Sequence, residues 1–208
     1  MAYLNLEKLH GEPTPEEALA EVFQRACNSA DSKKLHLGLV GIHERADSHA
    51  LAEQMLRQTT RKFSGSCKVW LAYIAFLLRR NNHEIAHQIL NKAISTLPRR
   101  KHVKLISQAG LLEFREGSAE RARGIFESIL HSYPNRVDLW SVYIDQEVKH
   151  GAQERARALF ERAITLTLSP ARMKSVFKKY LEFEQKHGDE DTVDEVRQKA
   201  MEYARDNL

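Results

Sequence analysis

Cysteine, proline and glycine are all scarce in this chain, and no apolar stretch is long. Two cysteines, Cys27 and Cys67, occur in 208 residues and stand in no metal-binding or redox spacing. That excludes a disulfide framework or a CxxC-type site and leaves two reduced, partly buried thiols as the expectation. No run approaches the ~20 apolar residues of a membrane-spanning helix. The opening Met1-Ala-Tyr-Leu-Asn-Leu-Glu7 has neither a basic start nor a long apolar stretch, so no secretory leader is expected. The nine glycines stand singly, which leaves no glycine-rich loop to cradle a phosphate.

What the chain does contain fits a helical, soluble protein. Hydrophobic residues make up 42% and charged residues 29%, a balance that argues against disorder. The formal net charge is only +4, but it is unevenly spread. Between Arg61 and Leu105 ten lysines and arginines face one acid, Glu84, whereas Asp189-Glu190-Asp191 centres an acidic stretch near the end. A basic middle points to a local anionic partner.

The dominant feature is repetition. Trp140, Tyr143 and Glu147 stand at relative positions 0, 3 and 7, and Ala156, Phe160 and Ala163 follow at 16, 20 and 23. The same ruler fits Trp70, Tyr73, Ala86, Leu90 and Ala93, and again Phe177, Tyr180, Glu184, Val193 and Ala200. Weaker copies run through Ile106, Ala109, Glu113, Ala122 and Phe126, and through His36, Leu39, His43, Ala52 and Leu56. Tyr3, Glu7, Phe23 and Ala26 fit a first copy whose position 0 would precede Met1, so a piece of a longer protein is expected. A period of about 35 residues is the mark of a solenoid of supersecondary units.

Apolar residues at three- and four-residue steps, without period-2 alternation, make each unit a pair of antiparallel helices. Positions 0, 3 and 7 share one face of the first helix, here called A, and positions 16, 20 and 23 share one face of the second, helix B. One pair cannot bury both faces, so pairs must stack. The expected fold is all-α: a right-handed α-solenoid of about six antiparallel helix pairs, forming a single domain over residues 1–208. The repeats fall at roughly 1–30, 31–65, 66–99, 100–134, 135–170 and 171–208, with the first truncated. In the fifth, helix A is expected roughly from Val137 to Lys149, with Gly151 free to take the left-handed conformation after it, and helix B roughly from Gln153 to Leu166. Tyr3, Phe23, Trp70, Tyr73, Ala86, Phe126, Trp140, Tyr143, Ala156, Phe160, Phe177 and Tyr180 are the expected repeat core. The recurring Glu7, Glu113, Glu147 and Glu184 are read as structural, bonding polar groups between helices.

Chemistry-bearing constellations are sparse. His83 and His87 share a helix face at i, i+4, yet no third ligand stands beside them beyond Glu84, and a solvated face outweighs a metal site or a nuclease centre. No metal, no cofactor and no enzymatic activity are expected. The aromatic residues that could stack on bases sit at repeat positions, which favours core packing. The basic cluster is the better candidate for binding RNA or a partner: Arg61, Lys62, Arg79, Arg80, Arg99, Arg100, Lys101 and Lys104. Three basic turns on successive repeats would align along one edge as a track for phosphates. The competing reading is a solvated surface with ordinary helix-end charges.

A Trp-x-x-Tyr-x-x-x-Glu helix followed by Ala-Arg-x-x-Phe-Glu-Arg-Ala resembles the half-a-TPR (HAT) repeat, a family of helical scaffolds in RNA-processing assemblies. Longer stretches, Val69 to Leu78, Val137 to Asp145, Pro170 to Glu184 and Lys199 to Ala204, resemble the C-terminal repeat region of the ribosomal RNA-processing protein 5 family. That resemblance implies a nuclear, nucleolar scaffold in precursor ribosomal RNA processing and small-subunit assembly, in proteins that carry S1-type RNA-binding domains ahead of this region. It implies ribosome-assembly proteins of the small-subunit processome as partners, with pre-rRNA or small nucleolar RNA as a further contact, no membrane, and self-association as another option. A direct RNA-binding surface along the basic edge, or a HAT scaffold of a splicing or 3'-end processing complex, is the alternative.

Overall fold

The computed structural model describes residues 2–10 and 14–207, and they are almost entirely helical. Two compact units divide them, residues 1–122 and 123–208, with the boundary inside one helix. The first unit holds α1 (Ala2–His10), α2 (Pro15–Ser29), α3 (Ser32–Arg45), α4 (His49–Lys62), α5 (Cys67–Arg79), α6 (His83–Thr96), a 3-10 turn (Arg99–Lys101), α7 (His102–Glu116) and the start of α8 (Ala119–Ser132). The second holds the rest of α8, α9 (Val137–Lys149), α10 (Gln153–Ile164), α11 (Pro170–His187) and α12 (Glu190–Asn207). No strand occurs among the described residues, and the fold class is all-α, built from helix pairs.

Local chemistry sets the helix ends. Thr14 accepts from the Glu17 N–H and donates to its carboxylate, ahead of a proline at the first helical position. Asp31 accepts from the N–H groups of Lys33 and Lys34 to open α3. Asp189 and Thr192 cap α12 reciprocally, at 2.9 and 3.0 Å.

The turn from helix A to helix B has two solutions, both at ruler position 11. Asp47, Asn81 and Gly151 take positive φ there, 50°, 56° and 72°, a region open to glycine and, among other residues, mainly to Asn and Asp. Gly117 and Gly188 fill the same position differently. A Cβ on either would collide with the carboxylate of the preceding Glu113 or Glu184, so these two glycines leave room for a buried acid.

In the first unit α3 packs on α4, α4 on α5, and α5 on both α6 and α7. A cluster of Leu4, Leu19, Val22, Leu39 and Ile42 anchors its beginning, with Phe23 half-buried against it and edge-on to His36 at 4.9 Å. The side chain of Tyr3 lies outside the described residues. Trp70, Tyr73, Ala86, Leu90 and Ala93 are all buried. The Trp70 indole N–H donates to the Ser64 carbonyl at 2.7 Å and so holds the turn ahead of its own helix.

The second unit repeats that device, the Trp140 indole donating to the Pro134 carbonyl at 2.7 Å. Here aromatic rings stack between successive pairs. Phe126 of α8 lies parallel to Tyr143 of α9 at 5.0 Å, and Phe160 of α10 to Tyr180 of α11 at 4.7 Å. Position 20 of one repeat thus meets position 3 of the next, with Ala156 and Ala163 buried beside them. Phe177 is buried against Tyr203 of α12. α9 begins and ends where the apolar spacing places it. α10 stops at Ile164, two residues short of Leu166, as Thr165 turns its hydroxyl onto the Arg162 carbonyl.

Candidate partner-binding surface

An ion-pair ladder organises the second unit. On α8 and α10 an arginine at position 17 precedes a glutamate at position 21: Arg123 and Glu127, then Arg157 and Glu161. Each arginine turns inward to the position-7 glutamate of the next helix A. Arg123 donates to Glu147 at 2.8 and 3.0 Å, and Arg157 to Glu184 at 2.8 and 3.0 Å, both carboxylates being buried. The hydrogen bond it donates to Glu184, ahead of the opposing cost of burial, raises the Arg157 pKa above its already high ordinary value.

Each position-21 glutamate turns outward to a cation at position 22 of the next helix B. Glu127 accepts both Arg162 nitrogens at 2.8 and 2.9 Å, and Glu161 accepts Lys199 at 2.8 Å. The hydrogen bonds from Arg162 hold the Glu127 carboxyl below the usual range against the effect of burial. The Arg162 guanidinium lies over the Trp140 ring, 5.3 Å from its centre, so the pair closes the space between α8 and α10 above the α9 indole. Burial, with the neighbouring Glu127 and Glu147 charges, pushes the Tyr143 hydroxyl up to about 12.

Glu147 and Glu184 therefore bond across helices. Glu113, in the first unit, differs in its partner, accepting from the Ser118 N–H at 3.0 Å where the chain enters α8. In the matching place of the third repeat stands Leu77, fully buried.

The eight basic candidates separate into two places. Arg61 and Lys62 end α4, and Arg99, Arg100 and Lys101 form the 3-10 turn before α7. These come together, because the Lys101 ammonium donates to the Gly65 carbonyl in the turn after α4. Lys104 follows, exposed, on the first turn of α7. Arg79 and Arg80 lie elsewhere. They close α5, a helix of 13 residues, and at ~1.5 Å per residue that sets them about 20 Å from its start near the Arg61 turn. Antiparallel pairing puts turns into a helix A and turns out of it at opposite ends, so a single edge across all three basic turns does not form. Arg79 pairs with Glu44 at 2.7 Å, and Arg80 lies 5.9 Å from the centre of the Phe76 ring.

The histidine pair is dispersed in partners. His87 meets the Asn91 amide at 3.3 Å, while His83 is half-buried. Among the described residues no group of three or more His, Cys, Asp or Glu could hold a metal ion, and no helix is long and apolar enough to cross a membrane.

Sequence comparison gives this architecture its relatives. The chain is 49% identical over 208 residues to the rRNA biogenesis protein RRP5 of Arabidopsis thaliana, covering all of the chain and 11% of that protein. It is 41% identical over 203 residues to the Protein RRP5 homolog of Mus musculus and 42% identical over 203 to that of Homo sapiens, covering 98% of the chain and 11% of each. The chain thus spans about a ninth of the length of these relatives. Residues 18–207 match the Suppressor of forked protein (Suf) family. Helix pairs bearing the half-a-TPR signature, stacked ring on ring and arginine on glutamate, are what that match covers, and the chain belongs to the Suf family.

Proposed function

We propose that this segment is the docking scaffold of a ribosome-biogenesis factor, acting in the nucleus and nucleolus in precursor ribosomal RNA processing and small-subunit assembly. One observation carries the reading: identity of 41–49% to rRNA biogenesis proteins runs along essentially the whole chain. The architecture supports it, because stacked helix pairs offer long grooves to peptides and helices of other proteins. The partners proposed are proteins of the small-subunit processome. The test is affinity purification of the chain from nucleolar extract, with and without ribonuclease. Small-subunit assembly proteins are expected to remain bound after ribonuclease treatment; recovery of none in either arm refutes the reading.

One observation favours RNA contact as a second role. The Lys101–Gly65 contact ties the basic Arg99–Lys101 turn to the turn that follows Arg61 and Lys62 at the end of α4. Binding there is expected to fall steeply with salt as several phosphate contacts are lost. Reversing Arg99, Arg100 and Lys101 to glutamate is expected to abolish it with circular dichroism unchanged. RNA affinity equal to that of the unmodified chain removes this role.

A further inference from the structure

The junction between the second and third repeats breaks the ladder that the second unit keeps. α4 carries the charges in reversed order, Glu53 at position 17 and Arg57 at position 21, where α8 has Arg123 and Glu127 and α10 has Arg157 and Glu161. On the inner side the reversal is matched. The position-7 acid has become the buried Leu77, and Glu53 instead accepts from Arg57 at 2.7 Å and from the Tyr73 hydroxyl at 3.1 Å. The outer side is not matched. Position 22 keeps its cation, Lys92, where Arg162 and Lys199 stand in the second unit, but its acidic counterpart is now Arg57.

Two like charges cannot close the space as Glu127 and Arg162 do. A groove of about 390 Å³ stays open between α4 and α6, with Trp70 and Tyr73 as its floor and Arg57, Arg61 and Lys92 on its walls. Neither the Arg61 guanidinium nor the Lys92 ammonium pairs with a protein group among the described residues. Ile85, 42% exposed, and Ile89 add an apolar strip along the α6 wall.

Cations beside exposed isoleucines select a kind of ligand. Phosphates of a nucleic acid would satisfy the cations and gain nothing from the isoleucines. A peptide carrying carboxylates together with a large apolar side chain satisfies both, at charge-assisted hydrogen bonds and by burial. We propose that this groove docks an acidic, apolar-containing peptide segment of a partner protein, one carboxylate taking the place over Trp70 that Glu127 takes beside Trp140. The proposal rests on the scaffold reading and names the chemistry of a partner.

The test is a titration of the purified 208-residue chain with a dye-labelled peptide, Glu-Glu-Leu-Phe-Glu-Glu, followed by fluorescence anisotropy. The same peptide with glutamine for glutamate and a labelled oligouridylate run beside it. The acidic peptide is expected to bind, more weakly as salt rises, and the glutamine peptide to bind at least about tenfold more weakly, as the loss of a charge-assisted hydrogen bond dictates. Arg57→Glu combined with Lys92→Arg restores the pair found in the second unit and is expected to lower acidic-peptide affinity by about tenfold or more at unchanged circular dichroism. Lys92→Glu alone, at an exposed position, gives the same loss should the double variant fold poorly. Four results overturn the proposal: no binding of the acidic peptide, equal binding of the glutamine peptide, undiminished binding by these variants, or binding of oligouridylate alone. Because purified components are used, failure here leaves the recovery of assembly proteins from extract as a separate result.

Discussion

Replacing Glu147 by alanine removes the acid from a pair that α8 and α9 share. The carboxylate is 0% exposed and accepts Arg123 Nε at 2.8 Å and Nη2 at 3.0 Å, and the arginine side chain is itself only 15% exposed. Removing the acid takes the buried counter-charge away from a guanidinium that is itself nearly out of solvent, a change that costs about 3–5 kcal/mol. The pair itself is worth far less than this, because two charges were desolvated to make it. Glu147→Met combined with Arg123→Met deletes both charges, keeps volume, and is expected to cost no more than about 1 kcal/mol. The double variant is therefore expected to be more stable than the single by at least about 2 kcal/mol. Equilibrium urea unfolding at neutral pH, followed by far-ultraviolet circular dichroism, reads both variants. A single replacement costing under about 1 kcal/mol, or a double as damaging as the single, refutes the claim that loss of a buried counter-charge sets the magnitude.

Other outcomes follow from the packing. Phe160→Ala, which empties a buried ring stacked on Tyr180 at 4.7 Å, is expected to cost about 3–5 kcal/mol in the same assay. Gly188→Ala forces a Cβ onto the Glu184 carboxylate and to 2.9 Å from its carbonyl oxygen, whereas a Cβ at Gly65 meets nothing within 4 Å. The first is expected to destabilise by more than about 1 kcal/mol and the second to change stability by less than about 0.5, as thermal melts compare. His36 is 7% exposed between Phe23 and Phe63. Burial lowers its pKa below 6.5, opposed by the Ser32 carbonyl and assisted by Lys62. The folded state then binds fewer protons than the unfolded one, so this contribution is complete above pH 6.5 and is lost as pH falls through the lowered folded value. His36→Gln is expected to lose less stability than the unmodified chain between pH 7.5 and pH 5, and an identical pH profile contradicts the assignment.

The helix pairs were largely legible because burial imposes the same demand on every repeat. Trp140, Tyr143 and Phe160 mark a face that must be covered, and Gly151 marks a stop. The equivalent stops at Asp47 and Asn81 carry no glycine, so only their φ values reveal that they make the same turn. Glu147 and Glu184 stood out by recurrence, but their arginine partners lie 24 and 27 residues away, a separation that only the stacked helices make visible. Alignment of the basic turns failed at Arg79 and Arg80 because charge counted along the sequence ignores which end of a helix pair each turn occupies. The exchange of Glu53 and Arg57 is present in the letters, yet it sits in a degenerate repeat where His36 and His43 replace the aromatic and acidic landmarks. It becomes meaningful only beside the groove that Lys92 shares.

Crosslinking with mass spectrometry on pre-ribosomal particles purified through this protein tests the scaffold account most directly. The account predicts links from lysines of this chain, Lys92 foremost, to acid-rich segments of small-subunit assembly proteins, retained after ribonuclease treatment. Links to RNA alone, or no protein links to residues of this chain in intact particles, contradict it.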